Sequence, residues 1–155
     1  MELFPGARWY AVHRADPRLY ALYRVHYSAK KNARWRRPGN TNSAGPGEIM
    51  CLLTVPGDAA FIWLRNTVER RDHQVGVCCT LFRNEGPHLS SELIREAEQL
   101  AWGKWPGARL FTYVDPSEVA SGRPGWCFIR ARWKQVGVSQ LGKLLFEKRP
   151  PQREP

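Results

Sequence analysis

The side chains best suited to moving protons are a histidine and a tyrosine that stand together in the most basic part of the chain. His26 has an unperturbed pKa near neutrality, so it could act as a general base, and Tyr27 supplies a second proton-handling group. His26 also falls on an apolar helical pattern, where a lone histidine is more often a packed core residue. Both interpretations of His26 remain open from the residues alone.

Asp115 is a second candidate for chemistry. It follows the apolar segment Arg109–Val114 and precedes Pro116, which predicts a carboxylate at the open end of a sheet, where it could orient a base or an amine. A turn or a helix cap explains the same Asp-Pro pair equally well. Tyr113, at the end of this segment, either lines a cleft or packs in the core.

A polar loop, RNEGPHLSS, joins an apolar segment to a helical one. Its side chains and the helix N-terminus could hold an amide, a carboxylate or a phosphate of a donor, although Glu85 and Glu92 oppose a phosphate nearby. A turn with an internal Arg–Glu pair is the alternative. The predicted donor-binding residues are Arg83, Asn84, Gly86, Ser90 and Ser91.

Positive charge is the strongest compositional signal. The net charge is +10, and Lys and Arg concentrate in Arg24–Arg37, interleaved with aromatic rings. Such a segment can neutralise phosphates while its rings stack on bases, so DNA is the predicted partner. A solvated basic face that only aids solubility is the alternative. The segment's candidate DNA-binding residues are Ser28, Lys30, Lys31, Arg34, Trp35, Arg36 and Arg37.

The composition is that of one folded domain. The chain has 155 residues, of which 43% are hydrophobic and 25% charged, which excludes disorder as the main state. We expect a single domain over residues 1–148 and a disordered tail over 149–155. Neither a membrane span nor a secretory signal is visible, so we expect a cytoplasmic protein that does not bind membranes.

Four cysteines lie without CxxC spacing. Cys78 and Cys79 are adjacent on a predicted strand and should point to opposite faces, which makes them poor joint ligands for one metal. Buried free thiols are therefore favoured over a zinc or disulfide site. The other histidines show no ligand spacing with His26, and no metal site is predicted.

The predicted elements alternate between helix and strand. A helix is expected over Asp16–Ala29, with Asp16 as N-cap and proline at its first position. A loop over Pro38–Gly47 precedes a hairpin of Glu48–Val55 and Ala59–Leu64, and then a third strand over Gln74–Phe82. Three antiparallel strands thus precede the central helix.

The central helix contains LSSELIREAEQLAW, with Ser90 or Ser91 as its predicted cap and Glu98 on its polar face. Arg109–Val114 is the next strand, Pro124–Arg132 a short helix, and Gln135–Val138 and Lys143–Glu147 the last strands. A helix between two strands that splay apart can leave a cleft where the first strand meets the helix. We expect function there.

This order, an α+β arrangement with a mostly antiparallel sheet and one β-α-β crossover, resembles the GNAT fold of the N-acetyltransferases. The segment GWCFIRARWKQVGV carries part of the likeness. The resemblance implies an acetyl-CoA or related acyl donor, whose pyrophosphate a glycine-rich loop holds at the helix N-terminus. Here that loop contains a single glycine, Gly86, and an acid.

The chain also resembles the Mom family of bacteriophage DNA-modification proteins, which have a GNAT-like fold. The carrying segments are HYS at 26–28, LFRNEG at 81–86, SSEL at 90–93, YVDP at 113–116 and PGWCF at 124–128. The resemblance implies conversion of adenine in DNA to N6-carbamoylmethyladenine, a modification that protects phage DNA against restriction by the bacterial host. Iron is a conceivable cofactor for chemistry of this kind.

The Mom resemblance also places catalysis on three residues and DNA contact on two more. It implies His26, Tyr27 and Asp115 as catalytic residues, with Tyr113 and Trp126 toward the substrate; Trp126 stands where relatives have tyrosine, so it could only stack. Two other functions remain open: a conventional acyl-CoA N-acetyltransferase acting on a protein or small amine, and a non-catalytic nucleic-acid-binding protein.

Overall fold

A computed structural model describes residues 2–3, 7–26, 43, 47–119 and 122–152, with the side chains of residues 2 and 3 left aside. The described strands are β1 (Glu2–Leu3), β2 (Trp9–Val12), β3 (Glu48–Thr54), β4 (Ala59–Arg65), β5 (Val77–Asn84), β6 (Leu110–Val114), β7 (Lys134–Val138) and β8 (Leu144–Lys148). The α-helices are α1 (Pro17–Tyr23), α2 (Ser90–Lys104) and α3 (Trp126–Arg130), and Pro116–Glu118 forms a 3₁₀ turn.

The described strands form one sheet in the order β1-β2-β3-β4-β5-β6-β8-β7. Neighbouring strands are antiparallel except β5 and β6, which are parallel and are connected through α2. A parallel pair needs such a crossover, whereas antiparallel pairs can be joined by short turns. The predicted α+β architecture with a central β-α-β unit is confirmed.

The hairpin of β3 and β4 is confirmed, and its turn is held by Thr54. The Thr54 hydroxyl donates to Asp58 Oδ1 at 2.7 Å and accepts from the amides of Asp58 and Ala59. The prediction of three strands before the central helix was wrong, because β1 and β2 precede them. The short β2 pairs with β3, and Trp9 is fully buried with its indole N–H donating to Leu93 O at 2.9 Å.

Helix α1 begins as predicted and ends earlier. The Asp16 carboxylate accepts from the amide of Arg18 at 2.9 Å, and Pro17 occupies the first turn. The helix ends at Tyr23 instead of Ala29, and residues 27–29 lie outside the described part of the chain. His26 therefore follows the helix, with its amide donating to Tyr23 O at 3.0 Å.

Two apolar clusters separate the faces of the sheet. Helices α2 and α3 pack on one face, against residues that include Trp63, Cys79 and Phe146. Helix α1 covers part of the other face, to which Cys78 and Phe111 also belong. Cys78 and Cys79 thus lie on opposite faces, as predicted, and all four cysteines are free thiols. No helix in the described ranges combines the length and apolarity that crossing a bilayer requires.

Helix α2 is tied to the end of the sheet by a buried carboxylate. Glu98, predicted on the polar face, is only 1% exposed. It accepts from Lys148 Nζ at 2.6 Å and from Trp133 Nε1 at 2.9 Å. The ammonium of Lys148 also donates to Ala131 O at 2.8 Å. A buried charge persists because all these partners satisfy it.

Replacing Lys148 with methionine should therefore destabilise the fold strongly. It leaves the Glu98 carboxylate buried without its counter-charge, and losing one member of a buried pair costs about 3–5 kcal/mol. Chemical denaturation measures the free energy of unfolding. Lys134→Met, at an exposed position of β7, is the matched control and should change it by less than about 0.5 kcal/mol. Equal effects in the two variants would contradict this account.

Candidate functional site

The site begins where β5 and β6 stop pairing. Their register holds for Val77↔Leu110, Cys78↔Phe111 and Cys79↔Thr112 and then ends, although β5 continues to Asn84 and β6 to Val114. At this last pair the Thr112 hydroxyl donates to Cys79 O at 2.8 Å. Beyond it the two strands separate, as the sequence analysis predicted, and their facing backbone groups no longer bond to each other.

A β-bulge modifies the other side of the same strand. The ladder between β4 and β5 pairs Ile62 with Leu81 and Trp63 with Cys79, so Thr80 has no partner residue in the described part of β4. A bulge leaves its extra residue unpaired and bends its strand. Thr80 thus has no partner residue in β4 and lies just beyond the last residue pair between β5 and β6.

A small cavity occupies this opening. Its volume is about 40 Å³, enough for a few water molecules. It is lined by His26, Cys79, Thr80, Leu81, Phe82, Thr112, Tyr113, Val114 and Phe128. The residues that meet here come from β5, from β6, from α3 and from the segment after α1. The sequence placed a cleft where β5 meets α2, whereas this cavity lies farther back along β5 and is lined by no residue of α2.

The pKa of His26, which lines this cleft, departs strongly from that of a free imidazole. Burial lowers its pKa to about 4, and the nearby positive charge of Arg83 contributes in the same direction. The imidazole is therefore neutral at pH 7, with a nitrogen able to accept a hydrogen bond or a proton. The near-neutral pKa assumed from the sequence is corrected, because burial penalises the charged ring.

The thiols near the cleft are held protonated. Cys79 and Cys127 both have their pKa raised by burial, that of Cys127 to about 11. A thiol is a strong nucleophile only as a thiolate. These cysteines pack as small apolar residues, and His26 remains the more reactive group at neutral pH.

The predicted donor loop is held mainly by its own contacts. Arg83 pairs with Glu85 at 2.8 Å, which is the internal pair that the sequence analysis kept as an alternative. Asn84 donates to His88 O at 2.7 Å and to Ser90 Oγ at 3.0 Å, and accepts from the Gly86 amide at 3.0 Å. Asn84 therefore shapes the turn between β5 and α2.

The β3–β4 turn presses on the same loop. Asp58 O accepts from the Glu85 amide at 2.7 Å, and a Cβ built on Gly86 would lie 2.3 Å from Asp58 Oδ2. Only glycine fits this contact without a shift. The Asp58 carboxylate, held by Thr54, thus adds a second acid beside the loop.

The start of α2 differs from the prediction that a serine caps it. Leu89 is the N-cap residue and provides no side-chain hydrogen bond. Ser90 and Ser91 lie in the first turn, and their backbone amides have no acceptor among the described residues. Helix N-termini of this kind favour anions, although Glu92 in the same turn opposes one.

Of the three predicted residues Asp115, Tyr113 and Trp126, only Tyr113 lines the cavity. Asp115 caps the 3₁₀ turn, accepting from the Ser117 amide at 3.0 Å and hydroxyl at 2.6 Å, and does not line the cavity. Tyr113 lines it and donates its hydroxyl to Asp72 at 3.0 Å. Trp126 is 45% exposed, with the guanidinium carbons of Arg123 and Arg130 at 5.1 and 5.9 Å from its ring.

The structure brings together only part of the predicted site. His26 and Tyr113 meet in the cavity, and Arg83 is close enough to His26 to lower its pKa. Six other predicted residues are described but do not line the cavity: Asn84, Gly86, Ser90, Ser91, Asp115 and Trp126. Eight more lie outside the described part of the chain: Tyr27, Ser28, Lys30, Lys31, Arg34, Trp35, Arg36 and Arg37. Thr80 and Thr112 were missed, because neither the bulge nor the last pair of a ladder has a sequence signal. The described residues contain no group of three or more metal-ligating side chains.

Comparison with known structures agrees with this geometry. A crystal structure of an acyl-CoA N-acyltransferase from Pseudomonas aeruginosa matches with a TM-score of 0.56 and 16% sequence identity, covering 90% of this chain and 97% of that chain. At this identity the match shows that the two chains share a fold. Neither protein-family models nor curated protein sequences give a match.

Replacing Gly86 with alanine should destabilise the protein. The added Cβ clashes with the carboxylate of Asp58, and such overpacking costs about 1–3 kcal/mol. The control is Gly103→Ala in α2, where a Cβ meets nothing within 4 Å and should stabilise the helix by about 0.5–1 kcal/mol. Urea denaturation measures the free energy of unfolding of both variants. An unchanged free energy in Gly86→Ala would mean that the loop moves away from Asp58 at no cost, which contradicts this account.

Lowering the pH should destabilise the protein through His26. Its folded pKa of about 4 lies below the unfolded value of 6.5, so the unfolded chain binds more protons between these values. The contribution is fully present above pH 6.5 and is lost as the pH falls toward 4. His26→Gln should reduce the slope of unfolding free energy against pH in this window. The exposed His88→Gln should keep the original slope, and an unchanged slope in His26→Gln would contradict the burial of the imidazole.

Proposed function

We propose that this protein is a GNAT-fold transferase that brings an acyl-CoA or a related acyl donor to an amino group of adenine in DNA. The observation that carries the proposal is the opening between β5 and β6, where the neutral His26 lines a cavity together with Thr80, a residue that lies beyond the last β5–β6 pair and has no partner residue in β4. A reaction at an amine needs a place for an extended donor and an acceptor for a proton. Both requirements meet at this point.

The donor would lie along β5. The backbone around Thr80 could bind the amides of the donor's arm, since β6 has turned away and the β4 ladder skips this residue. The amides of Ser90 and Ser91 could hold its phosphates. Glu85 and Asp58 beside the loop make this phosphate site weaker than a glycine-rich one. The bound donor would supply an activated carbonyl group.

His26 would handle the proton released by the amine. In acyl transfer the amine nitrogen forms a bond to the carbonyl carbon, the carbon–sulfur bond breaks, and the thiol leaves with a proton. The amine proton passes to the unprotonated nitrogen of His26 and from there to water. Burial, and then the charge of Arg83, disfavour the charged imidazole, so His26 is a weak base at pH 7 and must pass the proton on to water at once.

DNA as the acceptor is supported by charge and by the resemblance to the Mom family. The net charge of +10 attracts a polyanion, and the basic segment Arg24–Arg37 includes His26 itself. Exposed Trp126 with Arg123 and Arg130 offers a surface on which a base could stack. Extruding an adenine costs a few kcal/mol, which stacking could offset. The acyl transfer described above yields an N6-acyladenine. The N6-carbamoylmethyladenine that the Mom resemblance implies has an N6–CH2 bond, which acyl transfer does not form, so that product would require a donor of different chemistry.

An N-acyltransferase acting on a protein or small amine is the second candidate. It is favoured by the structural match, since the matching protein is named an acyl-CoA N-acyltransferase. Tight binding of acetyl-CoA without affinity for DNA would support it over the first.

Expression of the protein in bacteria should produce a modified adenine nucleoside. Mass spectrometry of digested DNA detects it, and the added mass identifies the transferred group. His26→Ala should reduce the modified fraction at least about 100-fold, the usual size of a general-base contribution. The exposed His13→Ala, outside both the cavity and the loop before α2, is the control and should leave the modified fraction unchanged.

Asp115→Ala in the same assay separates chemistry from capping. A loss of modification with an unchanged unfolding free energy would assign Asp115 to catalysis. Only ordinary nucleosides in every sample, together with salt-dependent DNA binding by the purified protein, would replace the enzyme with a non-catalytic DNA-binding protein.

A further inference from the structure

A second concavity opens beside the cleft, on the face of the sheet opposite α2. Its volume is about 890 Å³, in the range of sites that hold a ligand of several rings. It lies between the segment 71–74 and the β7–β8 hairpin, with Tyr113 and Leu145 beneath. Tyr113 lines both this groove and the cavity that contains His26, so the two spaces adjoin.

The walls of the groove combine apolar and cationic side chains. Val136, Val138 and Leu141 all line the groove and are 46%, 61% and 83% exposed, so the exposed apolar side chains here form a group and are not scattered singly. Arg71 and Lys143 line the same space. The groove therefore suits a ligand that has both apolar surfaces and negative charge.

The one carboxylate that lines the groove is already neutralised. Asp72 accepts two hydrogen bonds from Arg70, at 2.9 and 3.0 Å, and a third from the Tyr113 hydroxyl. Its pKa is lowered to about 2, first by the hydrogen bonds from Arg70. The Asp72–Arg70 pair thus fixes Tyr113 and offsets the charge of the acid that lines the groove. Glu69, which pairs with His73 at 2.9 Å, is the other acid near this rim.

A second copy of this chain fits the groove poorly. The adjoining edge strand β7 is short, begins with Lys134, and is interrupted by a bulge at Val136, all of which discourage strand pairing between copies. Two cationic surfaces would also repel each other across a symmetric interface.

We propose that the groove binds the DNA strand next to the base that is modified. This inference rests on the proposed function, since it is the reacting base in the cleft that brings its neighbours over Tyr113. Arg71 and Lys143 would contact phosphates, and the apolar side chains of the hairpin would contact the faces of unstacked bases. Strand binding here is separate from the basic segment Arg24–Arg37.

Fluorescence anisotropy with a labelled single-stranded oligonucleotide tests whether Arg71 and Lys143 contact phosphates. The double variant Arg71→Ser/Lys143→Ser should bind about tenfold more weakly at low salt. The slope of log affinity against log salt should fall by about 0.7 for each lost phosphate contact. The control, Arg65→Ser/Lys104→Ser, removes the same charge from the ends of β4 and α2 and should keep the larger slope. Equal losses in the two double variants would overturn the proposal.

A second double variant tests the apolar side chains of the groove, Val138 and Leu141. Val138→Thr/Leu141→Ser should weaken binding several-fold without changing the salt slope, because it removes contacts with bases and no charge. Unaltered affinity would overturn the assignment of this wall. Since these residues are exposed, circular dichroism and thermal unfolding should match the unmodified protein. Groove-dependent binding of polyglutamate as tight as that of the oligonucleotide would overturn the choice of DNA in favour of an acidic peptide.

Failure of this inference can be told apart from failure of the proposed function. Modified adenine in cells, with DNA affinity unchanged by the groove variants, would overturn the groove and leave the enzyme. Groove-dependent DNA binding with only ordinary nucleosides would overturn the enzyme, and with it the placement of a reacting base above Tyr113.

Discussion

The separation of β5 from β6 is the constraint on which the rest of the site depends. Three residue pairs hold the strands together, and the Thr112 hydroxyl takes up the carbonyl of Cys79 where they part. The bulge leaves Thr80 without a partner residue in β4, although the residues from Leu81 to Asn84 pair with β4 again. A continuous ladder would have used these backbone groups and closed the space. The cleft therefore exists because the regular ladders of β5 are interrupted at this place.

Such an opening requires rigid surroundings. Buried aromatic rings on the α2 face, including Phe61, Trp63 and Trp133, pack directly against one another. The Glu98–Lys148 pair, with Trp133, joins α2 to the last strand. Because these contacts lie on both sides of the opening, β6 cannot slide back toward β5 without disrupting packed rings and a buried charge.

The two ends of the cleft differ in their charges. The loop before α2 has acids close to its backbone amides, which oppose an anion there. The acid of the groove beside Tyr113 is instead paired with Arg70. The proposed positions of the donor and of the DNA strand rest on this difference.

The sequence by itself determined the order of elements, the N-cap of α1, the β3–β4 turn and the opposite orientation of Cys78 and Cys79. These are local patterns, set by side-chain period, proline and turn residues. It also selected His26 and Tyr113, because a polar residue at the end of an apolar segment is visible without coordinates. The short β2 was not predicted, because four residues are too few to show a strand's alternation of apolar and polar side chains.

Only the tertiary structure decided which candidates meet. It placed His26 and Tyr113 at one cavity and turned Asp115 toward Ser117, and it buried Glu98 on a face that the helical pattern marked as polar. It also lowered the pKa of His26, since burial and the charge of Arg83 come from residues distant in sequence. Bulges, strand separation and buried ion pairs depend on long-range partners, and a single sequence does not specify which partners those are.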